Sequence, residues 1–180
     1  GFVYGLSVSQ QYIENNIFEH ILVIGSEVQS TAMDLTTRGR DTAVIFGDGA
    51  GVAVVSASQD DSGILSTHLH SDGEHCRELW VEAPSSGVTP RLNQQILDEG
   101  RHFLQMNGRE VFRHAVTRFP EVIIEGLDAN GLTPQDIDLL VPHQANIRIA
   151  QMIQKRLKLR DDQVYSNIHK YGNTTAASIP

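Results

Sequence analysis

Apolar residues recur every three or four positions in several stretches of the chain, a spacing typical of amphipathic helices. Phe2, Leu6 and Ile13 follow it near the beginning of the sequence. The spacing predicts helices over residues 2–16, 107–130 and 147–159. Pro120 lies inside the second helix, where its missing N–H and bulky ring are expected to kink the axis.

Short apolar runs bounded by turn-forming residues predict buried strands. Gly47, Gly49 and Gly51 separate two of these runs, so a strand, a tight turn and a second strand are expected there. The predicted strands cover residues 21–24, 43–46, 52–55, 64–70, 138–141 and 164–168. Residues 72–105 have weak periodicity and predict a long irregular excursion. Because strands alternate with helices, we expect an α/β fold with a largely parallel sheet.

Composition narrows the functional classes. Fourteen basic against 22 acidic residues give a net charge of −8, which argues against nucleic acid as a partner. The longest apolar run, residues 52–55, is too short to cross a bilayer, so no membrane association is expected. Cys76 is the single cysteine, which excludes an internal disulfide and fits a reducing, cytoplasmic location.

Two polar side chains follow neighbouring predicted strands. His143 comes after residues 138–141, and Asn173 comes after residues 164–168. Ligands of α/β sheets bind outside the carboxyl ends of strands, so both side chains are expected near one site. Their N–H groups suit the stabilisation of a developing oxyanion or enolate. From the residues alone, a structural role is still more common for a lone histidine, and a turn role for a lone asparagine.

Several short segments carry a family resemblance across nearly the whole chain. They are residues 46–51 (FGDGAG), 68–73 (HLHSDG), 106–112 (MNGREVF), 143–148 (HQANIR) and 172–178 (GNTTAAS). In order and approximate spacing they resemble the signature segments of the 3-oxoacyl-[acyl-carrier-protein] synthase III family. Each segment is short, but their joint occurrence in register is specific.

The resemblance implies a thiolase-like α/β fold of two related halves in a layered αβαβα arrangement, of which this chain would hold a part. The polar, turn-prone residues 60–63 are the best candidate boundary between the halves. Residues 1–61 would then finish the N-terminal half, and residues 62–180 would form most of the C-terminal half.

The resemblance also implies the reaction. In this family a cysteine at a helix N-terminus is acylated by an acyl-CoA, and the carbanion from decarboxylated malonyl-acyl-carrier protein attacks the acyl group, which starts fatty-acid biosynthesis. His143 and Asn173 match the catalytic pair that hydrogen-bonds the malonyl thioester oxygen. The family pattern Cys-x-Gly-Phe places the nucleophile two residues before Gly1. We therefore expect this chain alone to be inactive, and the reaction to need no cofactor or metal.

The resemblance assigns binding residues as well. The carrier-contacting segment comprises Gln144, Ala145, Asn146, Ile147 and Arg148. The CoA and substrate contacts comprise Arg40, Phe46, Gly108 and Phe112, together with Ala145 and Asn146. Basic residues and no acidic ones follow from Arg148 to Arg160, which suits an acidic carrier, although most of them also fit an ordinary solvated helix face. The family is usually homodimeric.

Three alternatives stay open. The chain could belong to a relative that makes a secondary metabolite with the same His and Asn but another acceptor. It could be a non-catalytic half that binds a carrier protein or a partner subunit. A third reading is a metal-dependent hydrolase, because metal-binding residue types cluster at His68, His70, Asp72, His75 and Cys76.

Overall fold

The structure is a computed structural model that describes residues 1–60 and 62–180. In chain order its helices and strands are α1 (Phe2–Glu14), β1 (His20–Glu27), α2 (Arg40–Ala43), β2 (Gly49–Ser56), β3 (Leu79–Val81), α3 (Gln94–Glu99), β4 (Leu104–Met106), α4 (Gly108–Ala129), α5 (Ile147–Leu157) and α6 (Ile168–Tyr171). Short 3₁₀ turns lie between them, including Ser30–Ala32 and Thr175–Ser178. None of the helices in these two ranges is both long and apolar enough to cross a bilayer.

The strands β1 and β2 pair antiparallel along their whole length, from His20 opposite Ser56 to Glu27 opposite Gly49. Exposure alternates along β2, as expected when successive side chains point to opposite faces of a sheet. Helix α1 packs on one face of this pair, where a Cβ on Gly5 would lie 2.8 Å from Val23 Cγ1. The predictions of α1 and of strands at 21–24 and 52–55 are therefore confirmed.

The predicted strand at residues 43–46 is wrong. Residues Arg40–Ala43 form the short helix α2, in which the Thr42 hydroxyl donates to the Gly39 carbonyl. Only Phe46 pairs with another segment, through an isolated parallel bridge to Asn173. A four-residue apolar run has no periodicity that separates a strand from a helical turn, so the sequence pattern was ambiguous here.

Parallel pairing is much sparser than expected. The ladders among the described residues are antiparallel, β1 with β2 and β3 with β4. Leu140 and Val164 form one isolated parallel bridge, so the predicted strands at 138–141 and 164–168 are only single pairs. Residues 64–70 belong to no ladder, so the predicted strand there is wrong. A strand exists only where a neighbouring backbone accepts its hydrogen bonds, and side-chain alternation does not supply that neighbour.

The main apolar core lies between α4 and α5. It is built on Ile149, Ile153, Leu157 and Leu159, against which Phe112, Ala115, Val116, Phe119, Ile123, Ile137, Leu140, Ala145 and Val164 pack. Helix α4 continues through Pro120. A proline cannot donate to the carbonyl four residues earlier, which is that of Val116. The Arg156 guanidinium of α5 donates to this carbonyl at 3.4 Å instead.

The stretch predicted to be irregular contains folded elements. Strands β3 and β4 pair, and α3 lies between them in the chain. Asn93 caps α3 by accepting from the Ile96 N–H at 2.9 Å, and Gly100 ends the helix with a left-handed φ of 71°. Arg38 donates to the Asp98 carbonyl at 2.9 Å, which joins this stretch to the loop before α2.

The predicted boundary at residues 60–63 includes Asp61, which lies outside the described residues. Beside it, Asp60 accepts hydrogen bonds from Ser58 and Ser62, which lower the pKa of Asp60 to about 2. The division into two halves stays a prediction.

Candidate active site

The segment 172–178, called here the Asn173 turn, lies directly on the β1–β2 pair. Gly25 makes this approach possible, because a Cβ there would lie 2.6 Å from the Ala176 carbonyl oxygen. Gly49 likewise faces Thr174, whose Cγ2 would lie 2.8 Å from an added Cβ. Glu27 of β1 fixes the turn by accepting from the Ala176 N–H at 3.2 Å. The glycines of the β1–β2 pair therefore determine where the turn sits.

Asn173 is held with its amide nitrogen free. The residue is 6% exposed, and its backbone bonds to both Ile45 and Gly47, at 2.8 and 3.0 Å. Its side-chain Oδ1 accepts from the Thr175 N–H at 2.9 Å, which fixes the orientation of the carboxamide. Nδ2 has no protein partner among the hydrogen bonds of residues 1–60 and 62–180. Two N–H donors are thus available to a ligand.

His143 comes after the Leu140 bridge and is half-buried. Its Nδ1 lies 2.5 Å from the Ser178 Oγ at the end of the Asn173 turn. Burial lowers the pKa of His143, so the imidazole is neutral at neutral pH. In the described part of the chain Nε2 has no hydrogen-bond partner.

The beginning of α1 meets the same place. A Cβ on Gly1, the N-cap of α1, would lie 2.9 Å from the Ala176 Cβ. The N-terminus of α1, the Asn173 turn and His143 therefore converge.

Gln144 supports this arrangement from inside. It is 4% exposed, and its side chain donates to the Pro142 carbonyl at 2.8 Å and accepts from the Asn167 N–H at 3.0 Å. It also donates to the Tyr165 carbonyl at 3.3 Å. These bonds join two loops, and the assignment of Gln144 to a carrier-contacting segment stays a prediction.

The histidine-rich segment forms a different kind of site. His68 Nδ1 and His70 Nε2 lie 3.1 and 2.7 Å from the two carboxylate oxygens of Glu125 on α4. These hydrogen bonds, that of His70 first, lower the pKa of Glu125. Residues Asp72, Glu74 and His75 bring possible ligand atoms within 4.8 Å of one another, all on or near the surface. The histidines thus pair with a carboxylate and do not join that group.

A cavity of about 630 Å³ adjoins this His68–His70–Glu125 cluster, between α1 and α4. It borders neither His143 nor Asn173. Cys76 is exposed beside a smaller cavity of about 310 Å³, at the end of the 3₁₀ turn Gly73–His75. Glu125 was not predictable as a partner of the histidines, because it lies 55 residues beyond His70.

Comparisons with known proteins decide the family. The family model described as 3-oxoacyl-[acyl-carrier-protein (ACP)] synthase III matches residues 1–73, and the model of the C-terminal part of the same enzyme matches residues 127–180. The chain belongs to the synthase III family. Its fold is accordingly the thiolase-like α/β fold of that family, as solved structures also indicate.

The relatives are similar over the whole of this chain. The β-ketoacyl-[acyl-carrier-protein] synthase III of Caldanaerobacter subterraneus subsp. tengcongensis is 44% identical, over 99% of this chain and 53% of the relative. That of Clostridioides difficile is 43% identical, over 100% and 53%. The chain spans about half the length of the curated relatives it matches.

Solved structures match equally well. The crystal structure of 3-oxoacyl-[acyl-carrier-protein] synthase III from Aquifex aeolicus superposes with a TM-score of 0.86 at 37% identity, covering 100% of this chain and 52% of that one. The priming β-ketosynthase from the R1128 polyketide biosynthetic pathway gives a TM-score of 0.79 at 33% identity, covering 99% and 52%.

The substrate contacts that the synthase III resemblance implies fall into two groups. Phe46 bridges Asn173, and Ala145 and Asn146 follow His143 in the chain, so these three lie beside His143 and Asn173. The other three residues are not direct neighbours of His143 or Asn173. Phe112 packs with Ala145 against the α4–α5 core, Gly108 begins α4, and Arg40 is exposed on α2, which contacts β4.

A basic residue lies on the surface close to His143. Ile147 and Arg148 are exposed in the first turn of α5, where Asn146 Oδ1 accepts from the Arg148 N–H at 2.9 Å. No acidic residue lies in that turn, so Arg148 adds to the positive end of the helix dipole. Farther along, Arg160 pairs with Asp162 at 3.0 Å. The predicted basic stretch is therefore not uniform, and Arg148 is its most exposed charge beside the site.

Proposed function

We propose that this chain is part of an enzyme that condenses an acyl-CoA with malonyl-acyl-carrier protein to give 3-oxoacyl-acyl-carrier protein, the first condensation of fatty-acid biosynthesis. One observation carries the proposal. Asn173 Nδ2 and His143 Nε2 both lack a partner among the described residues, and both side chains are fixed by the same turn.

The reaction needs donors at one oxygen. When the malonyl thioester loses CO₂, the electrons of the broken C–C bond form an enolate whose negative charge lies largely on the thioester oxygen. N–H groups aimed at that oxygen stabilise the charge, and each typically contributes about 10²–10³ in rate. A neutral imidazole suits this role, because its N–H donates a hydrogen bond to the oxygen without transferring the proton. We propose His143 and Asn173 in this role.

The enolate carbon then attacks an acyl thioester. We propose that the cysteine carrying this acyl group precedes Gly1, at the N-terminus of α1. The first turn of α1 has no acidic residue, so the helix dipole is unopposed there and favours a thiolate. The proximity of Gly1 to Ala176 supports this placement, because it brings the start of α1 to the Asn173 turn.

Carrier and CoA are the proposed partners. The exposed Ile147 and Arg148 offer an apolar contact and a positive charge to an acidic carrier protein beside the catalytic pair. We propose that Arg40, Phe46, Gly108 and Phe112 contact CoA and substrate, that no metal or cofactor takes part, and that the protein works as a cytoplasmic homodimer.

The test uses the full-length protein that contains this chain. His143→Ala and Asn173→Ala should each reduce malonyl-acyl-carrier protein decarboxylation by about 10²–10³, while acylation of the cysteine by acyl-CoA persists. His169→Ala is the matched control, since His169 is exposed on α6. Equal loss of both half-reactions in the two site variants would contradict these roles.

A second candidate function is the priming of a polyketide pathway, favoured by the likeness to the R1128 priming β-ketosynthase. It would use the same donors with another carrier. The two functions can be separated by measuring condensation rates with the fatty-acid carrier and with polyketide carriers of the same organism. A strong preference for a polyketide carrier would replace the first proposal.

A further inference from the structure

The Asn173 turn contains a strained backbone position. Thr175 has a φ of 46°, in the left-handed region that residues with a side chain rarely adopt. The branched Cβ of threonine makes this conformation more costly than it is for glycine or asparagine. Strain of this kind persists only where the surrounding structure holds it, and it is frequent at functional sites. Thr175 is therefore held in place by its neighbours.

The conformation of Thr175 controls the carboxamide of Asn173. The Thr175 N–H donates to Asn173 Oδ1 at 2.9 Å, which leaves Nδ2 on the opposite side of the amide. The next residue, Ala176, is fixed to β1 because its N–H donates to Glu27 Oε1. A change of φ at Thr175 must then rotate the peptide plane that carries the Thr175 N–H. Loss of the left-handed conformation would therefore release the Asn173 oxygen.

Gln29, two residues beyond the end of β1, holds Thr175 from the side. Its Nε2 lies 3.2 Å from Thr175 Oγ1 and, in a weaker contact, 3.5 Å from Glu27 Oε2. A carboxylate only accepts hydrogen bonds, so the amide nitrogen of Gln29 faces both acceptors and has one N–H for each. Glu27 and Gln29 thus bond to two successive residues of the Asn173 turn.

We propose that Gln29 is a positioning residue for the condensation: its bond to Thr175 Oγ1 keeps Thr175 left-handed and so fixes the direction of the Asn173 carboxamide. This inference rests on the proposed function, in which Asn173 Nδ2 donates to the thioester oxygen. Gln29 acts on the reaction through Thr175 and Asn173.

Kinetics of the full-length protein give the first test. Gln29→Met keeps the length of the side chain and removes the donor. The kcat of malonyl decarboxylation should fall by about three- to tenfold, the worth of one hydrogen bond, while KM and cysteine acylation stay unchanged. Gln95→Met on α3 is the matched control, since it removes a similar bond, from Gln95 Nε2 to Glu99 at 2.8 Å. An unchanged kcat in Gln29→Met, or an equal loss in the control, would overturn the proposal.

A rescue experiment isolates the strain. Glycine adopts a positive φ without a Cβ penalty and keeps the backbone N–H that Asn173 needs. The double variant Gln29→Met/Thr175→Gly should therefore recover most of the rate that Gln29→Met loses. If Gln29 contributes only ordinary packing, removal of a second side chain should slow the reaction further. A double variant as slow as Gln29→Met, or slower, would contradict the role of Gln29.

A different variant decides if Gln29→Met does not fold. The ammonium group of Gln29→Lys can donate to the same two acceptors, on Thr175 and Glu27. This variant should keep both kcat and KM for decarboxylation. A folded Gln29→Lys whose kcat falls as much as that of Asn173→Ala would overturn the proposal.

A spectroscopic readout separates this proposal from the proposed function. The side-chain amide of Asn173 gives ¹H–¹⁵N signals, which are assigned by their loss in Asn173→Asp. They should shift or broaden in Gln29→Met and return in the double variant. If they do so but Asn173→Ala leaves decarboxylation intact, the positioning role stands and the proposed function falls. If Asn173→Ala abolishes decarboxylation but the signals do not respond to Gln29→Met, the positioning role falls alone.

Discussion

His143 and the pair His68–His70 represent two ways in which a fold uses histidine. His143 is half-buried, and within residues 1–60 and 62–180 its side chain has one hydrogen-bond partner, the neutral hydroxyl of Ser178. His68 and His70 share the Glu125 carboxylate near the surface. The first arrangement keeps a neutral ring with one nitrogen free for a ligand. In the second arrangement the His68 and His70 rings are hydrogen-bond partners of the Glu125 carboxylate.

This difference explains why the number of metal-ligating residue types was a poor guide to the position of the candidate site. The histidine-rich segment has more candidate ligands than the His143 region, yet its rings are engaged with Glu125. Asn173 and His143 have fewer neighbours of that kind but leave two nitrogens without a partner in the described ranges. Unused donors held by a rigid turn mark a site better than the number of titratable residues does.

The comparison predicts its largest effect at Asn173. Asn173→Asp keeps the acceptor for the Thr175 N–H but replaces the free N–H₂ by a carboxylate oxygen facing the developing charge. Malonyl decarboxylation should fall by at least about 10²–10³ in the full-length protein. Glu125→Gln, which alters the His68–His70 pair, should stay within twofold. Similar losses in both variants would break the distinction between the two regions.

A large effect on stability is expected where the Asn173 turn meets β1. Gly25→Ala would place a Cβ 2.6 Å from the Ala176 carbonyl oxygen, so backbone must move. The free energy of unfolding should decrease by about 1–3 kcal/mol in denaturant titrations. Gly73→Ala, near His75, meets no atom within 4 Å and should change it by less than about 0.5 kcal/mol. Equal free energies of unfolding for the two variants would contradict the claim that close packing against the Asn173 turn requires a glycine at position 25.

A positive charge next to His143 should affect binding of the acyl-carrier protein more than a positive charge elsewhere in the chain. Arg148→Glu reverses an exposed charge at the start of α5 and should weaken binding of the acyl-carrier protein severalfold, more at low salt than at high salt. Arg91→Glu makes the same change of net charge elsewhere in the chain and should have less effect. Titration calorimetry at two salt concentrations measures both, and identical salt dependence would exclude a local role for Arg148.

The smallest effect concerns pH and Glu125. Hydrogen bonds from His70 and His68 hold the pKa of Glu125 below its ordinary value of 4.5. A carboxyl with a lowered folded-state pKa stabilises the protein above the ordinary value and loses that contribution as the pH falls through the lowered one. Glu125→Gln should therefore lower Tm slightly at neutral pH, and the difference should shrink below pH 4.5 and vanish once the pH is below the lowered pKa of Glu125. A difference that grows on acidification would contradict this account.

Sequence reasoning succeeded where a pattern is local. Helices α1, α4 and α5 follow from their apolar spacing, and the signature segments placed His143 and Asn173 on successive connections. It failed where a partner is distant. The run at 43–46 forms no ladder, because Ala43 ends helix α2 and Phe46 makes a single bridge to the distant Asn173, which spacing does not encode. The contact between Ser178 and His143 was not predictable, because the two residues lie 35 positions apart and a serine among small residues is ordinary.

The central claim is that two side chains, fixed by one turn, donate to one oxygen. A crystal structure of the full-length protein with a bound malonyl thioester analogue tests it most directly. We expect His143 Nε2 and Asn173 Nδ2 each to lie about 2.7–3.1 Å from the same thioester oxygen. Donors that reach different atoms, or a thioester bound away from both, would contradict the account.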